Sequence, residues 1–344
     1  MMSGKILEED IVRFAEQFEL WDQLKEKSFL ITGATGLIGS VMVRCLLELI
    51  RQKNLDIRVI AIVRSVEKAR KVFAEDYSQV DFREMGLPEI CEASIQSKID
   101  YIVHLASPTA SKFFVDCPAE TMRTAVEGTT AVLEYAKNSR VASVVYASSL
   151  ETYGSNNTDE WIDENYQGYV NPLESRSSYN IGKRACECLC HAYAKEYGVN
   201  VMIARLTQTF GAGINESENR VFAQLARSVV QNKNIELHTK GESAKPYCYT
   251  TDVVNAILYL LLRGEKGEAY NIANKESYIS IKDMAYMVRD EFNPNIDVVL
   301  NPKENQGYAP ETKLRLDTRK LEALGWQPKY SLKEMFDRLI KYLC

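Results

Sequence analysis

The chain has 344 residues, 46% hydrophobic and 26% charged, proportions that fit a globular protein with one large domain and a subsidiary lobe. A formal charge of -5, with no dense Lys/Arg cluster, argues against a nucleic-acid-binding surface. No apolar run approaches a membrane span, MMSGK leads into charged sequence rather than a signal core, and eight scattered cysteines form no disulfide framework, so a cytoplasmic protein with reduced thiols and no membrane partner is expected.

Between residues 6 and 24, Ile6, Leu7, Ile11, Val12, Phe14, Ala15, Phe18, Leu20, Trp21 and Leu24 form a helical stripe with acidic residues between. This predicts an N-terminal helical extension over residues 1–26, packed on the domain that follows. SFLIT (28–32) then has the pattern of a buried strand, GATGLIG (33–39) that of a glycine turn, and VMVRCLLELI (41–50) that of a helix. In this order they form a dinucleotide-binding unit: glycines allow a tight turn and close backbone approach to a pyrophosphate at a helix N-terminus. Gly33, Thr35, Gly36, Leu37, Ile38 and Gly39 are the cofactor-binding candidates.

The second strand, IRVIAIV (57–63), ends in Arg64 and Ser65 rather than an acid. An acid there would accept hydrogen bonds from the adenosine ribose and repel a 2′-phosphate. Arg64 reverses that preference, and with Ser65, Lys68 and Arg70 nearby NADP(H) is favoured over NAD(H), which remains possible. The strand YIVHLA (101–106) runs into the small residues SPTAS (107–111), placing Leu105, Ala106 and Ser107 beside the cofactor. His104, at an apolar strand end, reads as a packed histidine rather than a base.

A helix over 118–138 precedes the strand VASVVYA (141–147), which delivers Ser148 and Ser149 to its carboxyl end, where the active sites of open parallel sheets lie. SSLETYG (148–154) is followed by YNIGK (179–183). A Tyr and a Lys four residues apart on a helix face the same way. An ammonium beside a phenol lowers its pKa, which makes Tyr179 a candidate acid/base with Lys183 as its neighbour. Ser149 can hydrogen-bond the same substrate oxygen. CECLCH (186–191) continues that helix with alternate residues diverging around the axis, so it reads as a packed helix face and not a metal site.

Alternating strands and helices over residues 27–205 predict a Rossmann-type, doubly wound parallel sheet. After VNVMIAR (199–205) the sequence becomes loop-rich, and residues 206–344 are expected to form a smaller C-terminal α/β substrate lobe: a strand at 235–239, a helix at 250–263, a strand at 268–272, and helices near 280–291, 317–324 and 331–343. The chain is free to cross between the lobes.

HLASP (104–108), the S-x-E-x-Y-G loop of Ser149, Glu151, Tyr153 and Gly154, GYVNPLESRSSYNIGKR (168–184) and LGWQP (324–328) resemble the extended short-chain dehydrogenase/reductases that modify nucleotide-activated sugars. They look most like UDP-glucuronate decarboxylases and their dehydratase and epimerase relatives. The resemblance implies a nucleotide-diphosphate-sugar substrate and a homodimer built on the Tyr–Lys helix and its neighbour. It implies that Tyr179 takes a proton from a sugar hydroxyl, at C4, while Lys183 holds the nicotinamide ribose. Glu151 would serve as a base for C5 or would orient a C6 carboxylate. Thr109, Arg176, Gln208, Arg220, Val221, Lys245 and Tyr249 would surround the substrate, with Arg220 and Lys245 on the diphosphate and Arg176 nearer the sugar.

Besides Arg64, which replaces the acidic residue of NAD-using decarboxylases, four positions depart from the family pattern. Leu150 stands where dTDP-glucose 4,6-dehydratases carry an Asp, Gln208 where an Asn is common, Lys245 where many members have an Arg, and Ala125 where an Asn is often found. Three outcomes stay open: a reaction that returns its hydride (epimerisation, dehydration or decarboxylation), a net NADPH-dependent reduction of a keto-sugar or polyol precursor, and a non-catalytic cofactor-binding regulator.

Overall fold

Residues Ser28–Thr32 are buried along their whole length, which suits a central strand of a sheet covered on both faces. The structure is a computed structural model that describes residues 2–91, 95, 98–108, 111–156, 158–302 and 311–344. Its first half runs α1 (Met2–Gln17), β1 (Ser28–Thr32), α2 (Leu37–Lys53), β2 (Arg58–Val63), α3 (Val66–Phe73), β3 (Asp81–Glu84), β4 (Tyr101–His104), α4 (Ser111–Asp116), α5 (Pro118–Asn138), β5 (Ser143–Ser149), β6 (Trp161–Ile162), α6 (Ser177–Glu196) and β7 (Val201–Leu206). The second half runs β8 (Gln208–Phe210), α7 (Val221–Val230), β9 (Ile235–Leu237), β10 (Ala244–Tyr249), α8 (Thr250–Arg263), β11 (Ala269–Ile272), β12 (Asn274–Ser280), α9 (Ile281–Phe292), β13 (Val298–Leu300), β14 (Arg315–Leu316), α10 (Arg319–Glu322) and α11 (Leu332–Leu343).

Seven strands form one parallel sheet in the order β11-β7-β5-β4-β1-β2-β3. The order reverses direction at β1 and β4, the switch point outside which open α/β sheets bind ligands. Residues of α1, α2 and α8 share one core with one set of strand side chains, including Ile31, Val103 and Val145. Residues of α5 and α6 share a second core with the alternate set, including Leu30, Ile102 and Val144. This is the doubly wound architecture, and its strand alternation follows from the period of two.

The chain crosses between the lobes after residue 206. β11 returns to pair with β7, and Val253, Val254, Ile257 and Leu261 of α8 belong to the first core. The lobe proper is therefore the sheet β12-β10-β8 and the pair β13-β9, with a core made largely by α7, α9 and α11. The N-terminal helix differs from expectation. It ends at Gln17, and a short 3₁₀ turn over Trp21–Leu24 follows; breaking the helix there lets Phe18, Leu20 and Leu24 all bury.

Candidate active site

The turn after β1 is built for close backbone approach. Gly33 has φ +71°, and a Cβ on it would lie 2.8 Å from the Ala106 nitrogen, so a side chain there would displace the Leu105–Ala106 backbone. Gly39 closes the same turn from the helix side, because its Cβ would lie 2.3 Å from the Gly33 carbonyl oxygen. No side chain caps α2, which leaves its leading N–H groups for an anion. Leu37 packs into the lobe core and Ile38 into the core shared with α1, so these two would meet a cofactor through their backbone. Thr35 is half-buried and Gly36 exposed at the mouth of the turn.

Thr32 ties this turn to β4: its Oγ1 lies 2.7 Å from His104 Nδ1 and accepts from the Ala106 N–H at 3.2 Å. His104 Nε2 meets Thr129 Oγ1 at 3.3 Å. Burial first, and then the Lys183 charge, push the imidazole down to about 3, so it is neutral at physiological pH. Ser107, half-buried, follows on the same segment.

At the end of β2, Arg64 is exposed and makes no hydrogen bond or ion pair with any described residue. Two of the groups expected beside it, Ser65 and Arg70, are committed elsewhere. Ser65 Oγ caps α3 by accepting from the Lys68 N–H at 3.1 Å, and the Arg70 guanidinium lies 4.3 Å from the Tyr77 ring centroid. Arg64 and Lys68 are thus the cations left to meet a ribose substituent.

Ser149 ends β5 and Tyr179 and Lys183 share one face of α6. The Tyr179 ring stacks on Phe114 with centroids 4.2 Å apart. Lys183 donates to the Ala147 carbonyl at 2.7 Å, with its Nζ 5.8 Å from the Tyr179 ring centroid. The expected lowering of the phenol by this ammonium is not met. Burial dominates and raises Tyr179 to about 12; the Glu151 charge adds to the rise, while the Ser149 hydrogen bond, Arg176 and Arg220 oppose it. Burial likewise brings Lys183 down to about 8. The spacing sets which face the two share, and desolvation decides their proton affinities.

Beyond Tyr179 lies a charged wall. Arg176 Nη2 donates to Glu151 Oε2 at 2.7 Å and Nη1 to Asn180 Oδ1 at 3.1 Å, while Asn180 Nδ2 donates to the Glu151 carbonyl at 3.0 Å. Lys245, half-buried, makes no hydrogen bond or ion pair with a described residue. Burial lowers its pKa; the Glu151 charge opposes this, and Arg176 and Arg220 add to it. Arg220, at the start of α7 just before Val221, is held bidentate by Glu218 at 2.9 and 2.5 Å. Gln208 Oε1 is buried without a partner, on the strand beside Tyr247. The wall carries three cations, Arg176, Arg220 and Lys245, against two carboxylates, Glu151 and Glu218. It suits an anionic ligand.

One substrate candidate falls outside this wall. Tyr249 is buried, and its hydroxyl donates to Asp10 Oδ2 at 2.5 Å; it belongs to the core between α1 and the lobe, because a buried phenol needs a partner and finds one there. Thr109 lies outside the described residues. Sequence reasoning missed Phe114, Asn180 and the buried pair Glu187–Arg205. Glu187 is four residues past Lys183 on one helix face, the spacing signal that could have found it. In the cysteine run, Cys186 and Cys190 are buried and Cys188 exposed.

Comparison with known proteins agrees with this geometry. The sequence profile of the NAD dependent epimerase/dehydratase family matches residues 29–273. UDP-glucuronic acid decarboxylase 5 of Arabidopsis thaliana is 30% identical over 89% of this chain and 86% of its own length. UDP-glucuronic acid decarboxylase 1 of Danio rerio is 29% identical over 92% of this chain and 72% of its own length. In fold, the chain matches a Thermotoga maritima UDP-glucose 4-epimerase solved with UDP-glucose at TM-score 0.78, with 23% identity over 92% of this chain and 98% of that one. The glycine turn, the Ser149–Tyr179–Lys183 arrangement and the profile match together show that the chain belongs to the NAD dependent epimerase/dehydratase family.

Proposed function

We propose that this chain is an enzyme that modifies a nucleotide-activated sugar carrying a carboxylate, by oxidation at C4 with Tyr179 as acid/base and loss or rearrangement at the neighbouring carbon. The observation that carries the reading is the cluster of Arg176, Arg220 and Lys245 around Glu151, of which Arg176 and Arg220 act on the phenol of Tyr179. The glycine turn, where a Cβ on Gly33 would strike Ala106, fits a dinucleotide held by Gly33–Gly39, Leu105–Ser107 and Lys183. A bound nicotinamide would supply hydride acceptance and return at the sugar carbon. Tyr179 takes the hydroxyl proton while Ser149 holds the oxygen. Glu151, oriented by Arg176, removes the C5 proton or holds the C6 carboxylate. A C6 carboxylate is β to a C4 ketone, so CO₂ can leave with the C5–C6 electron pair passing to the ketone oxygen. The likeness to UDP-glucuronic acid decarboxylases supports this outcome over epimerisation. A homodimer through α5 and α6 in the cytoplasm completes the reading. Incubation with UDP-glucuronate and cofactor is expected to release CO₂ and a UDP-pentose; no product from any UDP-uronate would overturn it.

Lys245→Ala is expected to weaken UDP-uronate binding by about 1.5–3 kcal/mol, the range for hydrogen bonds to charged groups. Arg220→Ala should cost less, because in the wild type Glu218 must first release the guanidinium. Calorimetry showing no change for Lys245→Ala would remove the anion-binding role.

Arg64 favours NADP(H) over NAD(H), and with it a second reading, net reduction of a keto-sugar. Arg64→Asp should reverse the cofactor order by about tenfold, the scale of one charge-assisted hydrogen bond. Tighter NAD⁺ binding by the unaltered protein would refute the preference, and stoichiometric NADPH loss with substrate would establish the reductase.

A further inference from the structure

Asp10 is a carboxylate buried to 1% exposure in the middle of α1, a segment that lies before the matched family region at 29–273. Charges are buried at this cost only when they are paired. Its partners all come from the C-terminal part of the chain: the Tyr249 hydroxyl at 2.5 Å, the Tyr330 hydroxyl at 3.3 Å and the Arg338 guanidinium. Arg338 also donates to the Ile6 carbonyl at 3.0 Å and to Glu9 at 3.1 Å. The same helix buries Ile11, Phe14 and Ala15 in the core it shares with α2, the helix of the glycine turn. One short helix therefore grips both halves of the molecule.

Tyr249 sits where the substrate wall is assembled. It ends β10, the strand that carries Lys245, and β10 pairs with β8 in the register Tyr247↔Gln208, Cys248↔Thr209 and Tyr249↔Phe210. Its oxygen also accepts from the Ala212 N–H at 3.3 Å, fixing the turn that leads on to Arg220. At Gly213 in that turn, a Cβ would lie 3.6 Å from Leu7 of α1 and 3.8 Å from Leu37 at the head of α2. The extension, the cofactor turn and the substrate lobe thus meet within one contact of Tyr249.

We infer that Asp10 is a positioning residue: through Tyr249 it sets Lys245, Gln208 and Arg220 against the cofactor turn, so that α1 is part of the substrate-binding machinery without touching the substrate. This rests on the reading that Arg220 and Lys245 bind the diphosphate of a nucleotide whose site Gln208 also lines. It separates the two ligands, because the glycine turn is braced by Thr32 and β4, while Asp10's own partners Tyr249, Tyr330 and Arg338 lie outside that turn.

The test measures UDP and NADP(H) binding by full-length Asp10→Ala, Asp10→Asn, Tyr249→Phe and the Asp10→Ala/Tyr249→Phe double variant. Asp10→Ala is expected to weaken UDP by about tenfold, the order of one hydrogen bond to a charged group, with cofactor affinity unchanged. Asn, which keeps an acceptor for Tyr249, should restore most of the UDP affinity, and the double variant should bind UDP no worse than the weaker single variant, since both remove one bridge. If Asp10→Ala fails to fold, Tyr249→Phe carries the same split between ligands. Equal loss of both ligands, unchanged UDP affinity in Tyr249→Phe, or an additive double variant would overturn the inference. UDP binding absent from the unaltered protein would overturn the nucleotide-sugar reading, and this inference with it; that failure is distinct, because it precedes any substitution.

Discussion

Tyr179→Phe is expected to lower kcat on the nucleotide sugar by about 10²–10⁴-fold, the usual contribution of a general acid/base group, while cofactor affinity changes little. The ring keeps its stack on Phe114 at 4.2 Å, so only the O–H is lost. Because that proton transfer belongs to the transition state, kcat and kcat/KM should fall together. The wild-type pH profile should carry the same signature. Burial and the Glu151 charge hold the ligand-free phenol near 12, so its base form grows as pH rises, and kcat/KM for hydroxyl oxidation rises with it. The rise should bend near pH 8, where Lys183, lowered to about 8 by burial, gives up its charge. The residual activity of Tyr179→Phe should lack this slope. Retention of more than about a tenth of the wild-type rate would contradict the role, since even the low end of the range is larger.

The sheet was legible because its central strands are continuous apolar runs between turn signals, as SFLIT and VASVVYA are. The edge strand β3 and the lobe strands β10 and β12 were not. DFRE of β3 and NKESYIS of β12 are mostly polar and incompletely buried, so neither alternation nor an apolar run marks them. AKPYCY of β10 is hidden by Pro246, which normally argues against an interior strand. The structure accommodates it where the β10–β12 register shifts between Lys245 and Tyr247, a place that asks no ladder hydrogen bond of the proline.

The site divides along a similar line. The glycine turn and the Tyr179–Lys183 face follow from local spacing, which sequence carries directly. The proton affinity of Tyr179 depends on how much water the fold removes, and the partner of Tyr249 lies 239 residues away at Asp10. Neither is encoded in a local pattern, and for both the sequence expectation failed. In the lobe, the family likeness named Lys245 and Tyr249 alike, and could not say that the phenol of the second turns to the core.

Glu187→Ala is expected to cost about 3–5 kcal/mol of unfolding free energy, the range for removing one partner of a buried ion pair. Glu187 and Arg205 have side chains only 10% and 9% exposed and meet at 2.7 Å. Glu187 Oε1 also accepts from Ser148 Oγ at 2.5 Å and from Arg205 Nε at 3.0 Å. Arg205 in turn donates to the Tyr153 hydroxyl at 3.1 Å and to the Glu164 carbonyl at 2.7 Å, and Tyr153 donates to Asn271 Oδ1 at 2.6 Å. This chain of bonds joins α6, one turn past Lys183, to β5, one residue before Ser149, and to β11. Alanine would strand the guanidinium among these groups with only the Glu164 carboxylate nearby as counter-charge. Glu187→Gln keeps acceptors for Ser148 and Arg205 and should cost less. Replacing both partners, Glu187→Met with Arg205→Leu, should cost clearly less than the sum of the single losses, because a pair removed whole leaves no unpaired charge. Urea midpoints of the wild type, Glu187→Ala, Glu187→Gln, Glu187→Met, Arg205→Leu and the double variant, taken without cofactor so that binding does not add stability, decide the matter: a cost below about 1 kcal/mol for Glu187→Ala would place this pair with exposed ones and refute its part in holding Ser149 against the Tyr179–Lys183 helix.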